Sequence, residues 1–233
     1  MADKELALIV GAGEGLSASL ARICASQGMD VALAARNPGK LADLCEETGA
    51  TAYPCDVADG ASVDALFDAV TGAQGVPNLV VYNPSARVRG PITDLDRDAV
   101  KDAVLITAYG GFVVAQKAAQ LMVERGSGAI FFTGASAGVK GYPNSSVFAM
   151  GKFGLRGLAQ ALARELHPQN IHIGHFVIDG GIVKKSGDDR AAARGEDGML
   201  DPDAIAETYM HMYRQHRSAW SWEIEVRPWV ENF

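Results

Sequence analysis

Short, uninterrupted apolar runs alternate along the chain with longer stretches whose apolar residues recur at helical spacing. Residues 6–10, 31–35, 52–55, 79–82, 129–133 and 171–178 read as strands, and 16–27, 38–48, 61–71, 97–125 and 144–166 as helices. Strands that are apolar along their whole length are buried on both faces, which requires a parallel sheet with helices packed on each side. The pattern therefore predicts an α/β fold: one Rossmann-type, doubly wound parallel sheet spanning residues 1–233, with its ligand crevice at the carboxyl ends of the strands.

Two segments break the alternation. Residues 184–198 are rich in Gly, Asp, Arg and Ala and read as a flexible loop on the substrate side, a mobile lid or a disordered stretch. Residues 219–233 read as a terminal strand and tail. There Trp220, Trp222, Ile224 and Val226 alternate with polar neighbours, the period of a half-buried strand. All three tryptophans lie in that segment, so its apolar edge packs either against another subunit or against the chain's own last helix.

Composition narrows the function classes. A chain of 233 residues with 48% hydrophobic and 21% charged residues is globular and long enough for one sizeable core. A formal charge of −7 with no basic stripe argues against nucleic acid. Neither an apolar leader nor a membrane-length run is visible, which points to a cytoplasmic protein without a membrane partner. The three cysteines have no metal-like spacing, and His172 and His175 fall on opposite faces of a strand, so no metal site is expected.

The first strand runs into Gly11-Ala12-Gly13-Glu14-Gly15-Leu16, which opens directly into a helix. Such a turn lets the backbone approach a pyrophosphate, whose charge the free N–H groups and the helix dipole then hold. The second strand ends at Ala35-Arg36. A carboxylate there would accept from a ribose 2′-hydroxyl, whereas an arginine suits a 2′-phosphate, so NADP is favoured and NAD remains possible. Glu14 opposes that preference by its charge. Asp56-Val57, past the third strand, is placed to meet the adenine.

The chain resembles the short-chain dehydrogenase/reductase family over essentially its whole length. Gly11 and Gly15, Asp56-Val57, Asn83, Lys152 and the turn at Gly180 carry the resemblance. It implies a nicotinamide cofactor bound by these residues together with Gly13, Glu14, Leu16, Arg36 and Ile182, and a homodimer or homotetramer built on the long helices. It also implies a proton relay of Asn, Ser, Tyr and Lys, which maps here to Thr107, Ala135, Phe148 and Lys152. Phenylalanine keeps the ring and loses the acid. Ser136, Tyr142, Met150 and Asp179 border the implied substrate pocket, and Tyr142 and Asp179 are the candidates to replace the phenol. The resemblance thus implies an oxidoreductase acting on a carbonyl or alcohol small molecule with a degenerate relay. The alternative is a non-catalytic dinucleotide sensor or scaffold subunit.

Overall fold

In the computed structural model, which describes residues 4–184 and 187–231, seven parallel strands form one sheet in the order β3-β2-β1-β4-β5-β6-β7. The strands are β1 (Leu6–Val10), β2 (Asp30–Ala35), β3 (Thr51–Pro54), β4 (Leu79–Tyr82), β5 (Gly128–Thr133), β6 (Ile171–Ile178) and β7 (Glu223–Val226). Helices α1 (Leu16–Ser26), α2 (Ala42–Thr48) and α8 (Pro202–Tyr213) cover one face; α3 (Gly60–Gln74), α5 (Gly110–Arg125) and α6 (Ser146–Leu166) cover the other. Alternate side chains of each strand feed the two cores. Leu8, Val80 and Ile130 point to the α5–α6 side, and Ile9, Val81 and Phe131 to the α1–α8 side. The double burial predicted from the continuous apolar runs is thus met, because each face has its own helical layer.

The chain order reverses between β1 and β4, both hydrogen-bonded neighbours in the sheet centre. Loops leaving these two strands must diverge, which opens a crevice above their carboxyl ends.

The single helix expected over 97–125 is divided. Helix α4 (Arg97–Val104) passes through a π-helical turn at Leu105–Tyr109 before α5 begins. The Tyr82 hydroxyl donates to the Ile106 carbonyl in that turn, and the Thr107 hydroxyl accepts from Ala86 N–H at 3.0 Å. Such an insertion satisfies carbonyls that a regular helix would engage and turns one side chain toward the crevice. Apolar periodicity cannot reveal it.

The terminal segment corrects the expected alternation. Ile224 and Val226 pack on the α1–α8 core, but Trp222 packs on the α5–α6 core beneath the Arg156 guanidinium, at 5.6 Å. A bend at Trp222, ahead of the β6–β7 ladder, moves its ring to the other face. Trp220 stacks on His172 with ring centroids 4.5 Å apart, while Trp229 is 81% exposed. His172 and His175 do point to opposite faces, the second accompanying Glu223 at 2.9 Å. Burial drives both imidazoles down to about 4, so both are neutral near pH 7.

Within the expected substrate-side loop, a short helix α7 (Asp189–Arg194) forms, capped by the Asp188 carboxylate accepting from Arg190 N–H. Residues 185 and 186 of that loop lie outside the described residues. The C-terminal tail braces the rest: Trp229 Nε1 donates to Asp197 at 3.1 Å, and Arg194 pairs with Glu231 at 3.7 Å.

Candidate functional site

The glycine loop joins β1 to α1 at the sheet's switch point. Gly11 has φ +81°, and a Cβ there would lie 2.6 Å from Pro84, so both the backbone turn and the approach of the β4 loop require glycine. Gly11 and Ala12 N–H donate to the Ala34 carbonyl at 2.9 Å, which ties the loop to β2. Ser17 carries the next link. Its hydroxyl donates to the Gly11 carbonyl at 3.1 Å and accepts from Asn83 Nδ2 at 2.6 Å. The Asn83 amide therefore braces the two loops against each other. The Ser17 hydroxyl is thus a cross-brace between the loops after β1 and β4.

The first turn of α1 has no side-chain cap and no acidic residue, and around Gly13 and Gly15 an added Cβ would meet nothing within 4 Å. Backbone donors and dipole at this end are thus open to an anion, and the cradle fits a dinucleotide's pyrophosphate. Glu14 is exposed, and Leu16 is buried beneath the loop. Arg36 is exposed at the end of β2 with no hydrogen bond or ion pair to any described residue. Asp56 accepts from Ala58 N–H at 3.0 Å and so turns the chain into α3, while Val57 is buried in the α5–α6 core.

Across the crevice, α6 presents Phe148 and Lys152 one turn apart. Lys152 is 2% exposed, and its Nζ donates to the Thr133 carbonyl at 2.6 Å. Burial, helped by the charge of Arg87, lowers the amine to about 7. Phe148 is 8% exposed and forms a small apolar cluster with Ala135 and Ala137 of the turn after β5. Lys152 Nζ lies 5.9 Å from the Phe148 ring centroid, and Arg87 Cζ lies 4.1 Å from it. Thr107 is buried with its hydroxyl engaged by the β4 loop.

The expected pocket residues separate. Ser136 is half-buried beside Ala135, in the turn after β5. Met150 is 51% exposed and outside the apolar cluster, because at helical spacing it faces away from Phe148 and Lys152. Tyr142 is largely exposed, with Lys140 Nζ 5.9 Å from its ring. Asp179 is buried at the end of β6, where Lys140 (3.2 Å) and Arg227 (3.3 Å) share its carboxylate. Those ion pairs tie the segment after β5 and the chain leaving β7 to β6. At Gly180 a Cβ would meet Pro228 at 2.8 Å, so the close approach of the tail requires glycine there. Ile182 bridges to Leu200 and packs on the α1–α8 core.

Arg87, Lys140 and Arg227 were not singled out from the sequence. Only Arg87 had a local signal, a pair of arginines two residues apart just past the β4 turn. Among the described residues no cluster of three His, Cys, Asp or Glu could hold a metal ion, and no helix is long and apolar enough to cross a membrane.

The model of the short chain dehydrogenase family matches residues 5–190. An uncharacterised oxidoreductase of Staphylococcus aureus (strain N315) is 26% identical over 232 residues, covering 98% of either chain. The crystal structure of a short-chain dehydrogenase from Rhodopseudomonas palustris is 33% identical, with a TM-score of 0.84 over 97% of this chain and 99% of that one. A metagenomic short-chain oxidoreductase solved in complex with NADP superposes with a TM-score of 0.84 over 97% of this chain and 98% of that one, at 23% identity. With a match over most of its length and this arrangement of glycine loop and lysine at the switch point, the chain belongs to the short-chain dehydrogenase family.

Proposed function

We propose that this protein is an NADP(H)-preferring oxidoreductase acting on a carbonyl or alcohol, with a degenerate proton relay. The observation that carries the reading is the open, uncapped glycine cradle facing a buried Lys152 across the crevice. Nicotinamide dinucleotide, when bound, supplies the hydride chemistry. The chain's own contributions are positional. Gly13, Gly15 and the start of α1 bind the pyrophosphate, and Lys152 donates to ribose hydroxyls. Arg36, exposed and free of a described partner, pairs with a 2′-phosphate, a group that the metagenomic relative's bound NADP carries.

Phe148, Ala135 and Thr107 occupy the tyrosine, serine and asparagine positions of the family relay. A phenyl ring donates no proton, and Thr107 is buried with its hydroxyl accepting from Ala86 N–H. On this reading Asp179 does not replace the phenol, because its side chain is already shared between Lys140 and Arg227. The proton for a reduced carbonyl therefore comes from solvent, and turnover is slow. A slow reaction on a reactive ketone with NADPH, and tighter binding of NADPH than NADH by fluorescence titration, are the expected results. Tight cofactor binding with no turnover on any carbonyl or alcohol would instead leave a sensor or scaffold.

The chain also works as a homodimer or homotetramer on this reading. Phe112 and Val123 of α5 are exposed and line, with Leu158 and Leu162 of α6, a surface groove of about 510 Å³. The edge strand β7 is short and carries Glu223 and Glu225, which discourages pairing through the edge. Light scattering should therefore report at least a dimer, and Phe112→Lys should weaken it.

A further inference from the structure

The loop leaving β4 carries Arg87, an exposed residue whose guanidinium lies over the Phe148 ring at 4.1 Å, with Lys152 Nζ at 5.9 Å from the same ring. Stacking uses the flat face of a guanidinium and none of its five in-plane N–H donors. Among the described residues no hydrogen bond or ion pair engages those donors. The charges that bear on Arg87 are those of Arg89 and Arg190, and they act with burial to lower its pKa. Arg190 already has its own acid, Asp188 at 2.5 Å, and also donates to the Ile182 carbonyl. Lys152 gives one donor to the Thr133 carbonyl and keeps the others for the cofactor on the proposed reading. One guanidinium fork thus lies over an aromatic ring without a described partner, among charges of its own sign.

We propose that Arg87 is the anion-binding residue of the substrate pocket, and that the substrate carries a carboxylate that pairs with this guanidinium at the Phe148 edge of the crevice. A single unengaged fork matches a planar monoanion in two parallel hydrogen bonds. A phosphate dianion would need further donors, and of the two nearby cations Arg190 is already paired with Asp188. The buried apolar cluster of Ala135, Ala137 and Phe148 serves as the backing on which the guanidinium rests, and the guanidinium is the cationic group offered to the carboxylate. The word substrate rests on the oxidoreductase reading; the anion site does not.

The test uses the full chain without cofactor and then with saturating NADP+, and reads binding rather than turnover. 4-Fluorobenzoate and its neutral isostere 4-fluorobenzamide are titrated by fluorine NMR. The carboxylate should bind at least about tenfold more tightly than the amide, the range of a charge-assisted hydrogen-bonded pair. Arg87→Gln should bring the two within about twofold, Arg87→Lys should keep part of the preference, and Arg89→Gln should change it little. Thermal unfolding of each variant confirms that it folds, as expected for an exposed position.

Equal affinities in the unaltered chain, or a preference that survives Arg87→Gln, would overturn the proposal. So would displacement of 4-fluorobenzoate by NADP+, which would place the anion site inside the cofactor site. Inorganic phosphate binding more tightly than the carboxylate would overturn the choice of carboxylate. Failure of NADP+ to bind at all, with the carboxylate preference intact, would instead count against the oxidoreductase reading alone.

Discussion

Between the glycine loop at the end of β1 and the Phe148–Lys152 face of α6, the same crevice changes from backbone chemistry to side-chain chemistry. At the first end the groups open to an anion are N–H donors at an uncapped helix start, and backbone donors persist through changes in the surrounding side chains. The Ser17 hydroxyl holds the loop there, through Gly11 and Asn83. At the second end the chemistry depends on single atoms. On the proposed reading a phenyl stands where a phenol would carry the acid, and Arg87 lies over that ring. Recognition carried by the backbone tolerates sequence drift, whereas proton transfer carried by one oxygen does not.

The largest effect should come from reversing that loss. Phe148→Tyr together with Ala135→Ser places a phenol near the Lys152 amine, whose protonated form, populated as pH falls toward 7, favours the phenolate. Reduction of an activated ketone by NADPH, followed as loss of absorbance, should then rise by at least about tenfold and by as much as about 10⁴-fold. No gain in a variant that folds and binds NADPH would show that the two ends differ in access, not in acidity.

The next test breaks the backbone end. Gly11→Val forces a β-branched residue into φ +81° and against Pro84. It should cost about 1–3 kcal/mol in stability and weaken NADPH binding, read by urea unfolding and fluorescence titration. Unchanged affinity would mean that the cradle is not where the cofactor lies.

A smaller effect separates the two nicotinamide cofactors. Arg36→Ala removes the exposed guanidinium at the end of β2 and should weaken NADPH binding by about tenfold while leaving NADH nearly unchanged. Equal losses for both would place Arg36 outside the 2′-phosphate site.

The smallest effect is a pH dependence. Burial lowers the Lys152 amine from 10.5 to about 7, so over that window the unfolded chain binds a proton that the folded chain does not. Stability from this group therefore increases as pH rises through the window and is lost as pH falls toward 7. The buried thiols of Cys24 and Cys55, both raised, act in the opposite sense above pH 9. Thermal melts from pH 7 to 9 should show that Lys152→Met is stabilised relative to the unaltered chain at pH 7, with the difference shrinking toward pH 9. A constant difference would mean that Lys152 is charged throughout.

The apolar runs at 6–10, 79–82 and 171–178 were sufficient to specify the buried parallel strands, since a strand covered on both faces admits few polar residues. The glycine spacing after β1 likewise specified the cradle, because positive φ and close approach are properties of glycine itself. What no linear pattern contained was which distant groups meet. The π-helical turn at Leu105–Tyr109 follows from hydrogen bonds with Tyr82 and Ala86, and the fate of Asp179 follows from Lys140 and Arg227, far away in sequence. Trp222 changed faces because of a bend that alternation cannot register. Arg87 became a candidate site residue only when the β4 loop folded over α6 and laid its guanidinium on Phe148. Local propensity and burial act on each segment by itself, and so can be read from the chain. Charge pairing and stacking depend on distance in space, which only the folded sheet and its loops decide.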